Sequence, residues 1–396
     1  MPLSALTTLA LCFAQIHAQP ALSERALSEP ALVAEKLYHG IGRPIMISVQ
    51  PQRTVGNFAL AMMDHEGKLL TDPASVRPGR IDLAGTLPAV WTLRKAAYLQ
   101  LMDGTEPLGP SLVLQPMLTR WVPVTIEARR PDGSPYTRIS GWREENQPPP
   151  PSQPTSNPPG QPPGEPPPAA TDATNAADPA SSQDLPPPAD TRVLTGFRIY
   201  PEQDVVLQTD QGDLVVALRP DEAPNTAWNF ARLAEGGFYD GVVFHRIVPL
   251  DRQGRPFVIQ AGDPGASGDG GPGYWLPMEW STLPHDFGVI SMARADDPDS
   301  AGSQFFFGLS REGTARLDGQ YCSFGYAIRG GDVIRSIAQV ELADVSAGKP
   351  VKPPVIRRCE LVDAPPRQPG RGRPDQRVSS QPVQVQPGDH PRHVPR

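Results

Sequence analysis

The sequence predicts a mainly β protein: a closed antiparallel β-barrel capped by two helices, preceded by a small β-sandwich and a proline-rich linker. Three observations carry this. Apolar residues recur with period two in short runs on both sides of a proline-rich stretch, glycine-containing turns separate the runs, and only two segments of the second half carry helical spacing. The 396 residues are too many for one ordinary domain, and 51 prolines is about two and a half times the usual ~5% share, so part of the chain reads as spacer. With 36 basic against 43 acidic side chains the net charge is −7, and no long Lys/Arg run is present. Nucleic-acid scaffolds and polybasic membrane clamps need clustered positive charge, so no nucleic-acid partner is expected.

Taken in order, residues 3–14 (LSALTTLALCFA) form an apolar run before Ile16-His17-Ala18, which reads as a signal peptide over 1–18 and hence export to a periplasm or cell envelope. No basic residue precedes the run, which keeps a cytoplasmic location as the alternative. The run is too short to span a bilayer, and no other stretch reaches the ~18 apolar residues of a membrane helix. Residues 31–142 alternate (Ile45, Ile47, Val49; Phe58, Leu60, Met62; Leu99, Leu101; Leu112, Leu114) between turns such as Asp64-His65-Glu66-Gly67 and Asp132-Gly133-Ser134-Pro135, which predicts the β-sandwich. It gathers no His, Cys or carboxylate cluster, so adhesion or spacing is its default role. Residues 143–192 are roughly a third proline with almost no large apolar side chain, and cannot offset their ordering entropy. They read as a semi-rigid linker, and the similar composition of 364–396 reads as a disordered tail.

Residues 195–362 regain globular composition. Val205 and Leu207, then Leu214, Val216 and Leu218, flank Thr209-Asp210-Gln211-Gly212 as a hairpin. Pro224-Asn225-Thr226 opens a helix that carries Trp228, Ala231, Leu233 and Ala234 and stops at Gly236-Gly237. A second helix follows Gly330-Gly331, with Asp332 as the expected N-cap and Val333, Ile334 and Ile337 on its buried face. Cys12, Cys322 and Cys359 lack the spacing of a zinc or redox site; a Cys322–Cys359 bridge is open, and free buried thiols are the plainer reading. The glycine run 262–273 lacks the G-K-[ST] ending of a phosphate loop, and no nucleophile elbow surrounds Ser303, so no metal, cofactor or covalent chemistry is expected.

Five collinear motifs then stand out: VFHRI (243–247), FVIQAGDP (257–264), GDGGPGY (268–274), GVISMARADDPDSAGSQFF (288–306) and LDGQYCSFG (317–325). In this order and spacing the domain resembles a cyclophilin-type peptidyl-prolyl cis-trans isomerase. The resemblance implies catalysis by Arg246, Phe257, Gln260 and Phe306, with Val258, Gly268, Ala293, Arg294, Gln304, Leu317 and Tyr321 binding the substrate. Ala293 and Arg294 would pair with substrate main chain, and Tyr321 stands where many relatives place a His. The implied partners are proline-containing polypeptide clients, and the implied role is assistance to protein folding. A proline-segment binding module with little or no turnover is the alternative.

The chemistry suits these residue types. An X-Pro bond rotates over a barrier of ~18–20 kcal/mol without any bond breaking, so the site must prefer the twisted amide to either planar form. A fixed donor beside the prolyl nitrogen does this, and a guanidinium oriented by a Gln is such a donor. Taken alone, Arg246 would read as a surface ion pair and Phe257, Phe306 and Leu317 as core; only the constellation assigns them to a site. His245 reads as structural, because rotation moves no proton. Two departures from the family stand out: ten residues, IVPLDRQGRP, separate Arg246 from Phe257, and Arg316 replaces an aromatic before Leu317, which bears on cyclosporin-type binding.

Overall fold

The computed structural model describes residues 30–119, 121–129, 135–144 and 192–379, and the predicted signal segment and nearly all of the linker lie outside these. The N-terminal strands are β1 (Leu32–Ala34), β2 (Tyr38–Gly40), β3 (Met46–Val49), β4 (Phe58–Met63), β5 (Ala74–Ser75), β6 (Gly79–Asp82), β7 (Ala97–Asp103) and β8 (Glu106–Leu118), with a one-turn helix α1 (Leu83–Thr86) after β6. β9 (Trp121–Arg129) and β10 (Pro135–Glu144) pair as a separate hairpin. β11 (Leu194–Pro201) follows the linker.

Two antiparallel sheets, β1-β3-β6 and β2-β11-β8-β7-β4-β5, make the N-terminal domain. Alternation explains their packing: Ile47 and Val49 from the small sheet meet Leu60, Leu99, Leu101, Leu112 and Leu114 from the large one in a single core.

The expected boundary at residue 195 is displaced. β11 pairs with β2 and β8, and Phe197 and Ile199 are buried in the N-terminal core. The chain after the linker therefore belongs to the N-terminal domain, where β11 supplies an apolar face to the large sheet between β2 and β8.

The second domain contains β12 (Gln203–Thr209), β13 (Gly212–Leu218), α2 (Pro224–Glu235), β14 (Arg246–Leu250), β15 (Pro256–Ala261), β16 (Val289–Met292), β17 (Phe305–Gly308), α3 (Arg311–Thr314), β18 (Ser323–Arg329), α4 (Gly331–Ala338), β19 (Leu342–Asp344), β20 (Lys349–Pro350) and β21 (Ile356–Asp363). Eight strands curl in the order β14-β15-β17-β16-β18-β13-β12-β21. The ends are joined by a Val243–Val355 bridge and by backbone hydrogen bonds from Ile356 to Val242 and from Phe244 to Pro354. Inside, Phe305 lies 5.2 Å from the Phe230 ring of α2, 5.5 Å from Tyr239 and 5.9 Å from Phe307, mostly edge to face. α4 seals the other side with Val333, Ile334 and Ile337. Cys322 and Cys359 are buried free thiols.

Helix starts differ from expectation. α4 begins at Gly331 after a left-handed Gly330, so Asp332 is in the first turn, where its charge favours the helix dipole, and is not the cap. α2 has no side-chain cap of its own; the Glu279 carboxylate, 53 residues away from Thr226, accepts from the Asn225 and Thr226 amides at 2.7–3.1 Å.

The expectation of a disordered tail from 364 is corrected over 364–379. Arg367 is fully buried, lies 3.4 Å over the Tyr98 ring and donates twice to Glu202 at 2.8 Å. Arg373 reaches Glu202, Asp204 and Asp375. Val378 packs against the barrel core and hydrogen-bonds the Ala327 carbonyl. Gly67 is needed where the strap crosses: a Cβ there would stand 2.1 Å from the Gly372 nitrogen. Proline-rich composition misleads here because a few charged and apolar anchors are enough to seat the segment across both domains.

Candidate active site

Strand alternation builds the site. Arg246 pairs with Gln260, Val248 with Val258, and Gln260 with Phe306, so these side chains share one face of the β14-β15-β17 sheet. The intervening Ile247, Ile259, Phe305 and Phe307 point into the core, where all four are fully buried. Of three consecutive phenylalanines, only the middle one is available outside the barrel.

The ten-residue insertion keeps this register. Pairing continues to Leu250 opposite Pro256, and the tip is closed by Asp251, which accepts from the Gln253 and Arg255 amides at 2.9 and 3.0 Å. The longer hairpin therefore extends the sheet without slipping it. Asp251 also binds Arg255 and Arg316, and hydrogen bonding to Arg255 holds its carboxyl well below the usual range.

A hydrogen-bonded line of polar groups orients the guanidinium. Arg246 Nη1 donates to Gln260 Oε1 at 3.1 Å, Gln260 Nε2 donates to Gln304 Oε1 at 2.9 Å, and Gln304 Nε2 donates to the Gly268 and Gly270 carbonyls at 2.8 and 2.9 Å. Each amide uses its oxygen toward Arg246 and its nitrogen away from it, so the direction of the line follows from the one cation at its end.

The glycine loop that receives this line is held by Asp263, which sequence reasoning missed although it lies within FVIQAGDP. Its buried carboxylate accepts from the Gly265 and Gly268 amides at 2.7 and 2.6 Å and from Ser267. Burial alone would raise its pKa, but the backbone donors prevail and hold it low. Gly270 has no room for a side chain, because a Cβ would sit 1.9 Å from Asp263 Oδ1.

Beside the polar line lies an apolar patch. Val258, Phe306 and Leu317 are buried, with Phe257, Ala293 and Tyr321 half-buried against them. Tyr321 meets Phe306 edge-on at 5.7 Å, and the Arg294 guanidinium covers Tyr321 at 4.9 Å while donating to the Gln320 carbonyl. Ala293 donates its amide to the Gln304 carbonyl at 2.8 Å. All eleven expected site residues thus fall in this polar line or around this patch. Arg316 lies 4.2 Å over the Phe257 ring, filling an aromatic's place with a planar cation.

A second missed residue supports Phe306 from behind. The His285 ring stacks on it at 5.9 Å with planes 14° apart, and its nitrogens are held by Asp318 at 2.9 Å and Ser291 at 3.0 Å. Burial pushes the imidazole pKa down, keeping it neutral, while Asp318 is brought down to about 2 against its own burial, chiefly by Arg311. A lone His in LPHDFG carries no sequence signal for such a role. His245 differs: both ring nitrogens are buried without a hydrogen bond among the described residues, and desolvation lowers its pKa. Among the described residues no cluster of three or more His, Cys, Asp or Glu side chains is placed to hold a metal ion, and no helix is long and apolar enough to cross a membrane.

Residues 204–361 match the family described as cyclophilin type peptidyl-prolyl cis-trans isomerase/CLD. A Synechococcus elongatus peptidyl-prolyl cis-trans isomerase is 38% identical over 143 residues, covering 33% of this chain and 92% of that protein. A Cryptococcus neoformans peptidyl-prolyl cis-trans isomerase-like 2 is 37% identical over 166 residues, covering 40% of this chain and 27% of that longer one. Among solved structures, a cyclophilin-type isomerase of Cryptosporidium parvum is 30% identical, covers 41% of this chain and 99% of its own, and has a TM-score of 0.37. Through its second domain the chain belongs to the cyclophilin-type peptidyl-prolyl cis-trans isomerases.

Proposed function

We propose that Arg246 is the donor that stabilises the twisted X-Pro amide, and that Phe257, Gln260 and Phe306 act with it in catalysis. The observation that carries this reading is the hydrogen-bonded line Arg246–Gln260–Gln304, a guanidinium held by neutral amides, running beside the Val258–Phe306–Leu317 patch. In the orthogonal state the prolyl nitrogen regains its lone pair and accepts a hydrogen bond it cannot accept when planar, so the stabilisation is selective for the transition state. The proline ring rests on the apolar patch, which excludes the water that favours the more polar planar amide. Gln304 and Gly268 flank the groove, and Ala293 and Arg294 form its backbone edge with Leu317 and Tyr321. Because the Ala293 amide is already engaged, substrate main chain pairs there through other backbone groups.

The clients are proline-containing segments of folding polypeptides, exported ones on the strength of the apolar run at 3–14. The N-terminal domain, held to the barrel by the 364–379 strap, sets where the groove faces. An isomerisation assay on the full chain tests the central assignment. One charge-assisted hydrogen bond is worth ~1.5–3 kcal/mol, so Arg246→Ala is expected to lower kcat/KM by about ten- to a hundredfold. Equal rates for the two proteins refute the assignment of Arg246.

A further inference from the structure

The groove rim is cationic although the chain is net acidic. Arg246 and Arg294 have no ion-paired carboxylate among the described residues; Arg246 is tied to Gln260, and Arg294 to the carbonyls of Gln320, Ala295 and Asp296. Arg316 stacks on Phe257 with its side chain 46% exposed and shares Asp251 with Arg255, so two guanidiniums meet one carboxylate. Arg252 adds another exposed charge at the hairpin tip. The neighbouring carboxylates are committed elsewhere: Asp263 to the glycine loop, Asp318 to Arg311 and His285, and Asp297 to the amide of Asp299. Asp269, Asp296 and the α3 residue Glu312 are further exposed acidic side chains on segments that border the rim.

We infer that this groove selects X-Pro segments flanked by acidic residues, with Arg316 as the specificity-determining side chain. This deepens the isomerase reading and rests on it. Arg316 suits the role because the inserted hairpin fixes it. Asp251 is held by its own turn and grips the guanidinium at 3.0 Å, so the cation is presented over the pocket wall at little cost in side-chain entropy. An aromatic at this position offers the same stacking surface but no attraction for a substrate carboxylate. A partly exposed charge acts over a screened range, so the preference shrinks with salt.

The test compares two peptides, Ala-Pro flanked by Glu or flanked by Lys, with the full chain, reading cis-trans exchange and affinity by NMR. At low salt the Glu peptide is expected to have about a three- to tenfold higher kcat/KM, in line with about 1 kcal/mol for an exposed ion pair, and the ratio should fall toward one in ~0.5 M salt. R316Q is expected to lose most of the preference, and R316E to reverse it. Far-UV circular dichroism and thermal melts establish that each variant is folded, and R316Q, which can still pack on Phe257, remains informative if R316E is not. Equal turnover and affinity for the two peptides, or an unchanged ratio in folded R316Q, overturns the inference. Loss of turnover on both peptides by the wild-type chain counts against the isomerase reading instead, while the NMR affinities still decide charge selection.

Discussion

The active-site rim and the interdomain seam both use arginine, in opposite ways. Arg246 is exposed and is held by the neutral amide of Gln260. Arg367 is fully buried, doubly bonded to Glu202, stacked on Tyr98 and donating to the His65 carbonyl at 2.7 Å. A structural guanidinium must have its charge cancelled before water can be excluded. A functional one must be aimed without being cancelled, and a carboxamide does that because it accepts a hydrogen bond while bringing no charge of its own. Partner and burial differ together between Arg246 and Arg367, and Arg316, exposed yet sharing the Asp251 carboxylate with Arg255, lies between them.

The most severe way to break the seam is Glu202→Gln, which leaves Arg367 and Arg373 buried with less opposing charge. A loss of about 3–5 kcal/mol is expected by denaturant titration, with isomerisation by the folded fraction little changed. A loss below about 1 kcal/mol would mean that the strap is not anchored by this pair.

Acid should open the same seam in two stages. Burial pushes the His65 pKa from its ordinary 6.5 down to about 4, despite the nearby Asp221. The unfolded chain therefore binds a proton more readily than the folded one, and stability present above pH 6.5 is lost as pH falls toward 4, on the order of 2–3 kcal/mol. Glu202 follows: burial opposes its charge, but Arg367 and Arg373 bring it from 4.5 down to about 2, so its contribution, complete above 4.5, disappears as pH falls through 2. Asp204 in the same network works the other way: burial raises its pKa to about 7, so its protonation favours the folded chain as pH falls below 7. The His65 stage is therefore read as the difference in denaturation midpoint between the wild-type chain and His65→Asn, which should shift against the wild type as pH falls from 6.5 to 4; a difference that stays constant over that window contradicts it.

Arg246→Ala sharpens the contrast from the other side: the expected ten- to hundredfold fall in kcat/KM should come with a stability change within about 0.5 kcal/mol, since the side chain is exposed. A large melting shift would instead mark it as structural. Gln260→Ala has the smallest expected effect. It frees Arg246 to rotate and costs about one neutral hydrogen bond, ~0.5–1.5 kcal/mol or up to roughly tenfold in kcat/KM, with KM changing less than kcat.

Much of the site was legible because its parts lie in short collinear motifs. VFHRI and FVIQ place Arg246 and Gln260 opposite each other once they are read as adjacent strands, and the alternation within QFFF separates Phe306 from its core neighbours. Asp263 and His285 were not legible, since their task is to hold another residue and that task exists only after folding. The boundary at 195 and the tail failed for a related reason. Composition reports whether a segment can build a core alone, and neither β11 nor residues 364–379 needs to, because each adds to a surface already made.

Local order along the chain determined the barrel strands, the two larger helices and the family, because periodicity and motif spacing are properties of neighbours in sequence. Only tertiary structure decided that β11 belongs to the first domain, that Glu279 caps α2, that Arg316 lies on Phe257 under the grip of Asp251, and that Arg367 meets Glu202. These are encounters between residues tens to hundreds of positions apart. Their energy comes from burial and charge pairing that no local window contains.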